Sequence, residues 1–189
     1  MGSVSTLVLV RHGETEWSRD HKHTSSTDLP LTEVGEAQAR ALAEKLAGWD
    51  FAAVFVSPLR RAGRTCELAG FAPRAEVLDD LHEWRYGEYE GLTTVEIRTA
   101  RPDWTVWNDG APGGESPEEV GTRADRVIDH AVATGGNVAL FGHGHSLRVL
   151  AARWIGLEPG RGERLRLETA TVSTLGYERE TRVVLTWNT

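Results

Sequence analysis

The 189-residue sequence predicts a single α/β domain, a three-layer α/β/α sandwich around a largely parallel sheet. Short apolar, β-branched runs alternate along the chain with longer amphipathic ones, the pattern of βαβ units. With 40% hydrophobic and 26% charged residues, the composition is that of a globular chain with a substantial core. Turns rich in Gly, His and Arg follow several of the apolar runs directly, and open parallel sheets place their chemistry at the carboxyl ends of their strands.

In chain order, residues 6–10 read as a first buried strand around Leu7-Val8-Leu9-Val10, and residues 11–31 as a long polar loop broken by Asp28-Leu29-Pro30. Thr32 is placed to cap a helix through Leu46, with Val34, Ala37, Ala41, Leu42 and Leu46 as its apolar stripe and Gly48 ending it. Residues 53–56 are a second strand. Ser57-Pro58 looks like a helix start, Ser as cap and Pro in the first turn, for a helix to about Leu68. A third strand is expected at 76–78, a charged and aromatic loop at 81–91, a helix at about 93–100, and an irregular stretch at 102–117. Ser116 then caps a helix to about residue 133, and Gly135-Gly136 turns into a fourth buried strand at 137–141. A glycine turn, 142–145, opens a helix from about Ser146 to Trp154, and final strands are expected at 165–167, 172–177 and 183–186.

Charge and composition exclude several partners. The net charge of −7 argues against nucleic acid, and no apolar run approaches the ~20 residues that a membrane span needs. A single cysteine, Cys66, precludes an internal disulfide and fits a cytoplasmic setting. No signal peptide is expected. Gly2 falls in a loose myristoylation pattern, but a start methionine ahead of a buried strand accounts for it as well. Arg outnumbers Lys 19 to two, and Arg grips anions bidentately. An acidic protein that binds an anion needs a local positive pocket.

Three segments at strand ends supply candidates. Arg11-His12-Gly13-Glu14 would set an imidazole beside a fixed cation, as nucleophile, base or ligand. Ser57 to Arg64 carries Arg60, Arg61 and Arg64, of which at most two share a helix face. Gly142-His143-Gly144-His145 precedes a helix whose N-terminus favours an anion, to which a protonated His143 would add charge; Arg148 reads as an ordinary helix residue. Among the carboxylates of 81–91, Glu83 beside Trp84 and Tyr86 is best placed for the partial burial that a catalytic acid needs.

Together these segments resemble the histidine phosphatase superfamily, the phosphoglycerate-mutase-like proteins. Arg11-His12-Gly13-Glu14-Thr15-Glu16-Trp17, Ser57-Pro58-Leu59-Arg60-Arg61-Ala62, the loop with Glu83, Pro112-Gly113-Gly114-Glu115-Ser116 and His143-Gly144 match the family's motifs in order and spacing over essentially the whole chain. The resemblance implies His12 as the nucleophile that becomes phosphohistidine, Arg11, Arg61 and His143 around the phosphoryl oxygens, and Glu83 as proton donor. Ser18, where many members have Asn, and Thr24 are carried over as weaker phosphate ligands, with Gly144. Ser25 replaces a usual Gly. His145 and Tyr86 are candidate contacts beyond the phosphate. No cofactor and no metal are implied, and the expected partner is a small phosphorylated substrate.

The reading is a phosphomonoesterase acting on small phosphorylated metabolites, sugar phosphates above all. A cofactor-dependent phosphoglycerate mutase is the nearest alternative; such mutases are generally longer between the acid loop and the second histidine than residues 91–113 allow. A metallohydrolase using the pairs His21/His23 and His143/His145 lacks an accompanying carboxylate cluster. A non-catalytic phospho-ligand binding protein is the alternative of another class.

Overall fold

The computed structural model describes residues 4–189; Gly2 and the start of the acylation pattern lie outside the described residues. One six-stranded sheet runs through it in the order β3-β2-β4-β1-β5-β6. The strands are β1 (Val4–Arg11), β2 (Phe51–Val56), β3 (Ala75–Val77), β4 (Gly136–Gly142), β5 (Val172–Glu178) and β6 (Thr181–Thr186). The first four pair in parallel, whereas β5 and β6 add an antiparallel hairpin to the β1 edge.

Alternation along β1 and β4 sorts the core into two faces. Leu7, Leu9, Val138 and Leu140 point to one side, where they meet α6 (Pro117–Thr134) and α7 (Gly144–Trp154) through Val127, Ala131, Leu147 and Leu150. Val8, Val10, Ala139 and Phe141 point to the other, against Leu42 and Leu46 of α2 (Glu33–Leu46) and Ala62 and Cys66 of α3 (Arg60–Leu68). Helices on both faces of a mostly parallel sheet make the three-layer sandwich.

Capping explains where the helices begin. The Thr32 side chain accepts from Gly35 N at 3.0 Å. Ser116 and Glu119 form a capping box ahead of Pro117, and Thr93 and Glu96 form another ahead of α4 (Thr94–Ala100).

The structure corrects the reading in several places. Residues 11–31 contain a short helix, α1 (Glu16–Arg19), capped by Thr15, and the stretch 102–117 contains α5 (Val106–Asp109), capped by Thr105. The buried face of α2 is Gly35, Ala39, Leu42 and Leu46; Val34 is 55% exposed, and Ala37 and Ala41 face solvent. Small residues win because the helix lies backbone-to-backbone on the loop after β1: a Cβ on Gly13 would collide with the Gly35 carbonyl, and one on Gly35 with Glu14. Ser57 does not cap α3. Leu59 occupies that position without a side-chain bond, and Ser57 turns inward instead. Residues 165–167 form no strand, since they follow a 3-10 helix, Pro159–Arg164, and end with the Leu167 carbonyl accepting from Arg11. Helix α7 starts at Gly144, two residues earlier than expected.

Gly35→Ala is expected to cost about 2–3 kcal/mol through overpacking, lowering the melting temperature by roughly 5–10 °C in a thermal scan followed by circular dichroism. Gly63→Ala, in α3 where an added Cβ meets nothing within 4 Å, is expected to be neutral or to stabilise by up to about 1 kcal/mol.

Candidate active site

Parallel register brings three distant segments to one level. Arg11 pairs with Gly142, and Val56 with Phe141, so β1, β2 and β4 end together. His12 N donates to the Gly142 carbonyl at 3.0 Å and Ser57 N to the Phe141 carbonyl at 3.0 Å, which carries the alignment one residue past the strands. Gly13 N then donates to Thr65 Oγ1 at 3.0 Å, fixing the turn after His12 to helix α3.

His12 is buried. Its Nδ1 lies 2.7 Å from the Gly13 carbonyl and must donate to it, so Nε2 keeps the lone pair of the neutral ring. Burial first, then Arg61 and Arg11, hold its pKa well below the ordinary histidine value. The His143 ring lies 5.2 Å away, centroid to centroid. Its Nδ1 accepts from Arg61 Nε at 3.2 Å, and its Nε2 donates to Ser57 Oγ at 2.7 Å. Burial, with Arg61 and His12 adding to it, keeps His143 neutral as well, so the positive charge expected on it is absent here.

Of the arginines on α3, only Arg61 turns inward, at 1% exposure. Arg64 pairs with Glu36 and Glu67 on the surface, and Arg60 is exposed. Besides His143, Arg61 donates to the carbonyls of Thr27 at 3.3 Å, Thr24 at 3.1 Å and Ser25 at 3.4 Å. Arg61 and His143 therefore sit behind the pocket wall rather than on it. Arg11 does line the pocket. One of its terminal nitrogens donates to the Leu167 carbonyl, while its buried Nε has no hydrogen-bond partner. A Cβ on Gly144 would lie 3.2 Å from the Arg11 guanidinium, so glycine there leaves that side chain its place.

Glu83 faces the same pocket at 5% exposure. Oε1 accepts from Trp84 N at 2.9 Å and Ser146 N at 2.8 Å, and Oε2 accepts from His145 N at 3.0 Å. Oε2 thus has a second acceptor position for a proton. The loop beneath it is clamped by a part of the sequence read only as a family segment. Arg123, buried on α6, binds Glu115 at 2.9 and 3.0 Å and donates to the carbonyls of Asp80 and His82 at 2.8 and 2.9 Å. Glu115 in turn accepts from Arg85 N, and its carbonyl accepts from Trp84 Nε1, both at 2.9 Å.

The pocket encloses about 470 Å³, and Arg11, His12, Ser18, Thr24, Glu83, Tyr86, Gly144 and His145 all line it. Two of the expected phosphate ligands have their hydroxyl protons engaged elsewhere. Ser18 Oγ donates to the Thr15 carbonyl at 3.0 Å within the α1 capping box, and Thr24 Oγ1 donates to the Lys22 carbonyl at 3.0 Å. Tyr86 O–H donates to His145 Nδ1 at 2.5 Å; burial raises the phenol and lowers the imidazole, so both are neutral. His23, Lys22, Arg98, Trp104, Trp107 and Arg148 also line it; of these, Lys22, Arg98 and Arg148 were not read as site residues. His23 packs against Tyr86 at 4.8 Å and Trp104 at 5.4 Å, an aromatic setting rather than a ligand set. Among the described residues, no group of three or more His, Cys, Asp and Glu is placed to hold a metal ion. Nor is any helix among them long and apolar enough to cross a membrane.

Phosphate esters are the substrates that a cation-lined, imidazole-bearing sheet edge suits, and the chain is an enzyme of that class. Residues 7–189 match the histidine phosphatase superfamily (branch 1), and the chain belongs to that family. It is 42% identical over 181 residues to an acid phosphatase of Mycobacterium tuberculosis, covering 93% of this chain and 88% of the relative. It is 36% identical over 183 residues to sedoheptulose 1,7-bisphosphatase of Saccharomyces cerevisiae, covering 79% and 67%. Curated relatives also include 2,3-bisphosphoglycerate-dependent phosphoglycerate mutases. A solved Mycobacterium tuberculosis structure superposes with a TM-score of 0.92 at 37% identity, over 97% of both chains.

A histidine whose folded pKa lies below its unfolded value, near 6.5, stabilises the fold fully above that pH. The contribution is lost as the pH falls toward the folded value. His12, His23, His82, His143 and His145 all belong to this class. The free energy of urea unfolding is expected to drop between pH 7.5 and 5, by up to about 1.4 kcal/mol per pH unit for each ring still neutral. A flat profile over that window would contradict the buried, neutral state of these rings.

Proposed function

We propose that the chain is a single-domain phosphomonoesterase that hydrolyses small phosphorylated metabolites, sugar phosphates in particular, through a phosphohistidine on His12. The observation that carries this reading is the state of the His12 ring: Nδ1 is committed to Gly13, and Nε2 keeps a lone pair on the pocket side of a cation cluster. Nε2 attacks phosphorus and the ester P–O bond breaks. Arg11, whose unpartnered Nε seeks an acceptor, and the N-terminus of α7 at Gly144 neutralise the equatorial oxygens. Arg61 and His143 act from behind, one as a fixed charge and the other as a neutral ring held between Arg61 and Ser57.

Glu83 gives a proton to the departing alcohol and takes one from the water that then attacks the phosphohistidine, so the Nε2–P bond breaks and inorganic phosphate leaves. No cofactor or metal enters these steps. The acid-phosphatase and sugar-bisphosphatase relatives favour hydrolysis over mutation. The single cysteine, the buried Cys66, fits action in a reducing compartment such as the cytoplasm.

Phosphate release from a panel of sugar phosphates, run beside conversion of 3- to 2-phosphoglycerate, separates phosphatase from mutase. With an isotopically labelled substrate, wild-type enzyme quenched in alkali is expected to retain acid-labile phosphate. His12→Ala should retain none and should turn over at background; a variant as active as wild type would remove His12 from the mechanism. Glu83→Gln is expected to slow hydrolysis of alkyl phosphates by about 10²–10⁴-fold. It should slow p-nitrophenyl phosphate much less, because that leaving group departs without a proton.

A further inference from the structure

Three of the four groups that hold the buried Arg61 are carbonyls of the loop after α1, those of Thr24, Ser25 and Thr27. Whatever fixes that loop therefore fixes where the charge sits. The amides of the same stretch meet at one atom outside it. Glu90 Oε1 accepts from Ser25 N at 2.8 Å and from Thr27 N at 2.9 Å. The Ser25 N–H and the Thr24 carbonyl belong to one peptide group, so a single planar unit lies between the Glu90 carboxylate and Arg61 Nη2, 3.1 Å beyond the carbonyl oxygen. A carboxylate on the N–H side polarises the peptide and makes its oxygen a better acceptor for the guanidinium.

Glu90 is itself held in place. Gly91 N donates to the His23 carbonyl at 2.8 Å, and His23 N donates to the Leu92 carbonyl at 2.9 Å. An antiparallel bridge between Lys22 and Thr93 continues the pairing, so residues 90–93 lie along residues 22–25. At the far end of the loop, Asp28 Oδ1 accepts from Arg60 N at 2.9 Å, next to Arg61 itself. The charge of Glu90 serves no surface pair: among the described residues, no ion pair includes it. Nor does Glu90 line the pocket, so it does not touch a substrate bound there.

The loop also reaches the acid. Ser25 is buried, and its Oγ donates to the Glu83 carbonyl at 3.3 Å, beside His82 Nδ1 at 2.6 Å. Ser25 thus has its amide on Glu90, its carbonyl on Arg61 and its hydroxyl on Glu83.

We propose that Glu90 is a positioning residue for the reaction: through the peptides of residues 24–27 it sets Arg61 behind His12 and, through Ser25, the backbone of Glu83. The proposal rests on the phosphomonoesterase reading of the same pocket. It requires an acceptor oxygen at the reach of a glutamate side chain, and not the negative charge as such.

Two substitutions separate reach from charge. Glu90→Gln keeps an acceptor oxygen in place and loses the charge. Glu90→Asp keeps the charge and draws the oxygens back by about 1.5 Å. Turnover of p-nitrophenyl phosphate, whose leaving group needs no proton, reads the Arg61 side alone. Glu90→Asp is expected to lower its kcat by about tenfold or more with KM changed by less than about threefold, and Glu90→Gln to stay within about threefold of wild type. An alkyl phosphate should lose still more in Glu90→Asp, because the Glu83 loop shifts too. Assays run well below the melting temperature of each variant, so that loss of folded protein does not enter.

A second readout does not depend on turnover. Arg61 Nε–H donates to His143 Nδ1 at 3.2 Å inside the protein, so its proton resonance, assigned by its absence in Arg61→Lys, is expected to exchange slowly with water. Exchange should be about tenfold faster in Glu90→Asp and near wild type in Glu90→Gln. A Glu90→Asp variant with wild-type kcat and wild-type exchange, or a Glu90→Gln variant as impaired as Glu90→Asp, would overturn the proposal. Should Glu90→Asp fail to fold, Glu90→Ala carries the same comparison. If the wild type releases phosphate from no ester, the phosphomonoesterase reading fails by itself, and the Arg61 resonance still decides whether Glu90 positions that side chain.

Discussion

Arg61 holds a permanent charge with almost none of its surface in water, and a buried charge is tolerated only where hydrogen-bond partners replace the solvent. Its partners come from two places in the chain: the carbonyls of Thr24, Ser25 and Thr27, and the ring of His143. One guanidinium therefore ties helix α3, the loop that follows α1 and the turn after β4 to a common point. The same charge acts on the two imidazoles packed against each other, both of which it pushes toward the neutral form. Arg11 is desolvated as well, and the pocket lining sets Arg11, Lys22, Arg98 and Arg148 against Glu83 and Glu163, a balance that suits an anion.

Close backbone approach is the second means of construction. Gly13 and Gly35 let the loop after β1 lie directly on α2, Gly114 lets its strand of loop touch the Arg85 carbonyl, and Gly144 leaves Arg11 its place. Each contact fixes a chemistry-bearing neighbour without adding a side chain to the pocket. The acid loop is treated similarly: the buried Arg123–Glu115 pair holds its carbonyls and amides, not the Glu83 side chain itself.

Much of this was legible in the sequence, and for physical reasons. Leu7 to Val10 and Val138 to Phe141 alternate between two apolar faces and so read as strands buried on both sides, and each is followed at once by its glycine and histidine turn. Arg11, His12 and His143 could be named because a strand end fixes where the next residue goes, and Glu83 because Trp84 and Tyr86 beside it promise burial. The roll of α2 was misread because Val34 promises more burial than Gly35, yet the closeness of two backbones decides which face turns inward. Ser57 has the chemistry of a cap but is claimed by a ring 86 positions away. Arg148, Lys22 and Arg98 were missed for the same reason: a pocket wall gathers side chains from several elements, and no local pattern marks them.

The chain's lone thiol has a practical consequence. Cys66 is packed in the layer between the sheet and α3, and burial pushes its pKa up to about 12. At neutral pH it is almost wholly protonated and shielded, so alkylating and disulfide-forming reagents find no nucleophile there. The wild-type protein is thereby a silent background for site-directed labelling. One cysteine introduced on the exposed surface of α4 would accept a fluorophore or spin label stoichiometrically, without first stripping a native sulfhydryl from the core.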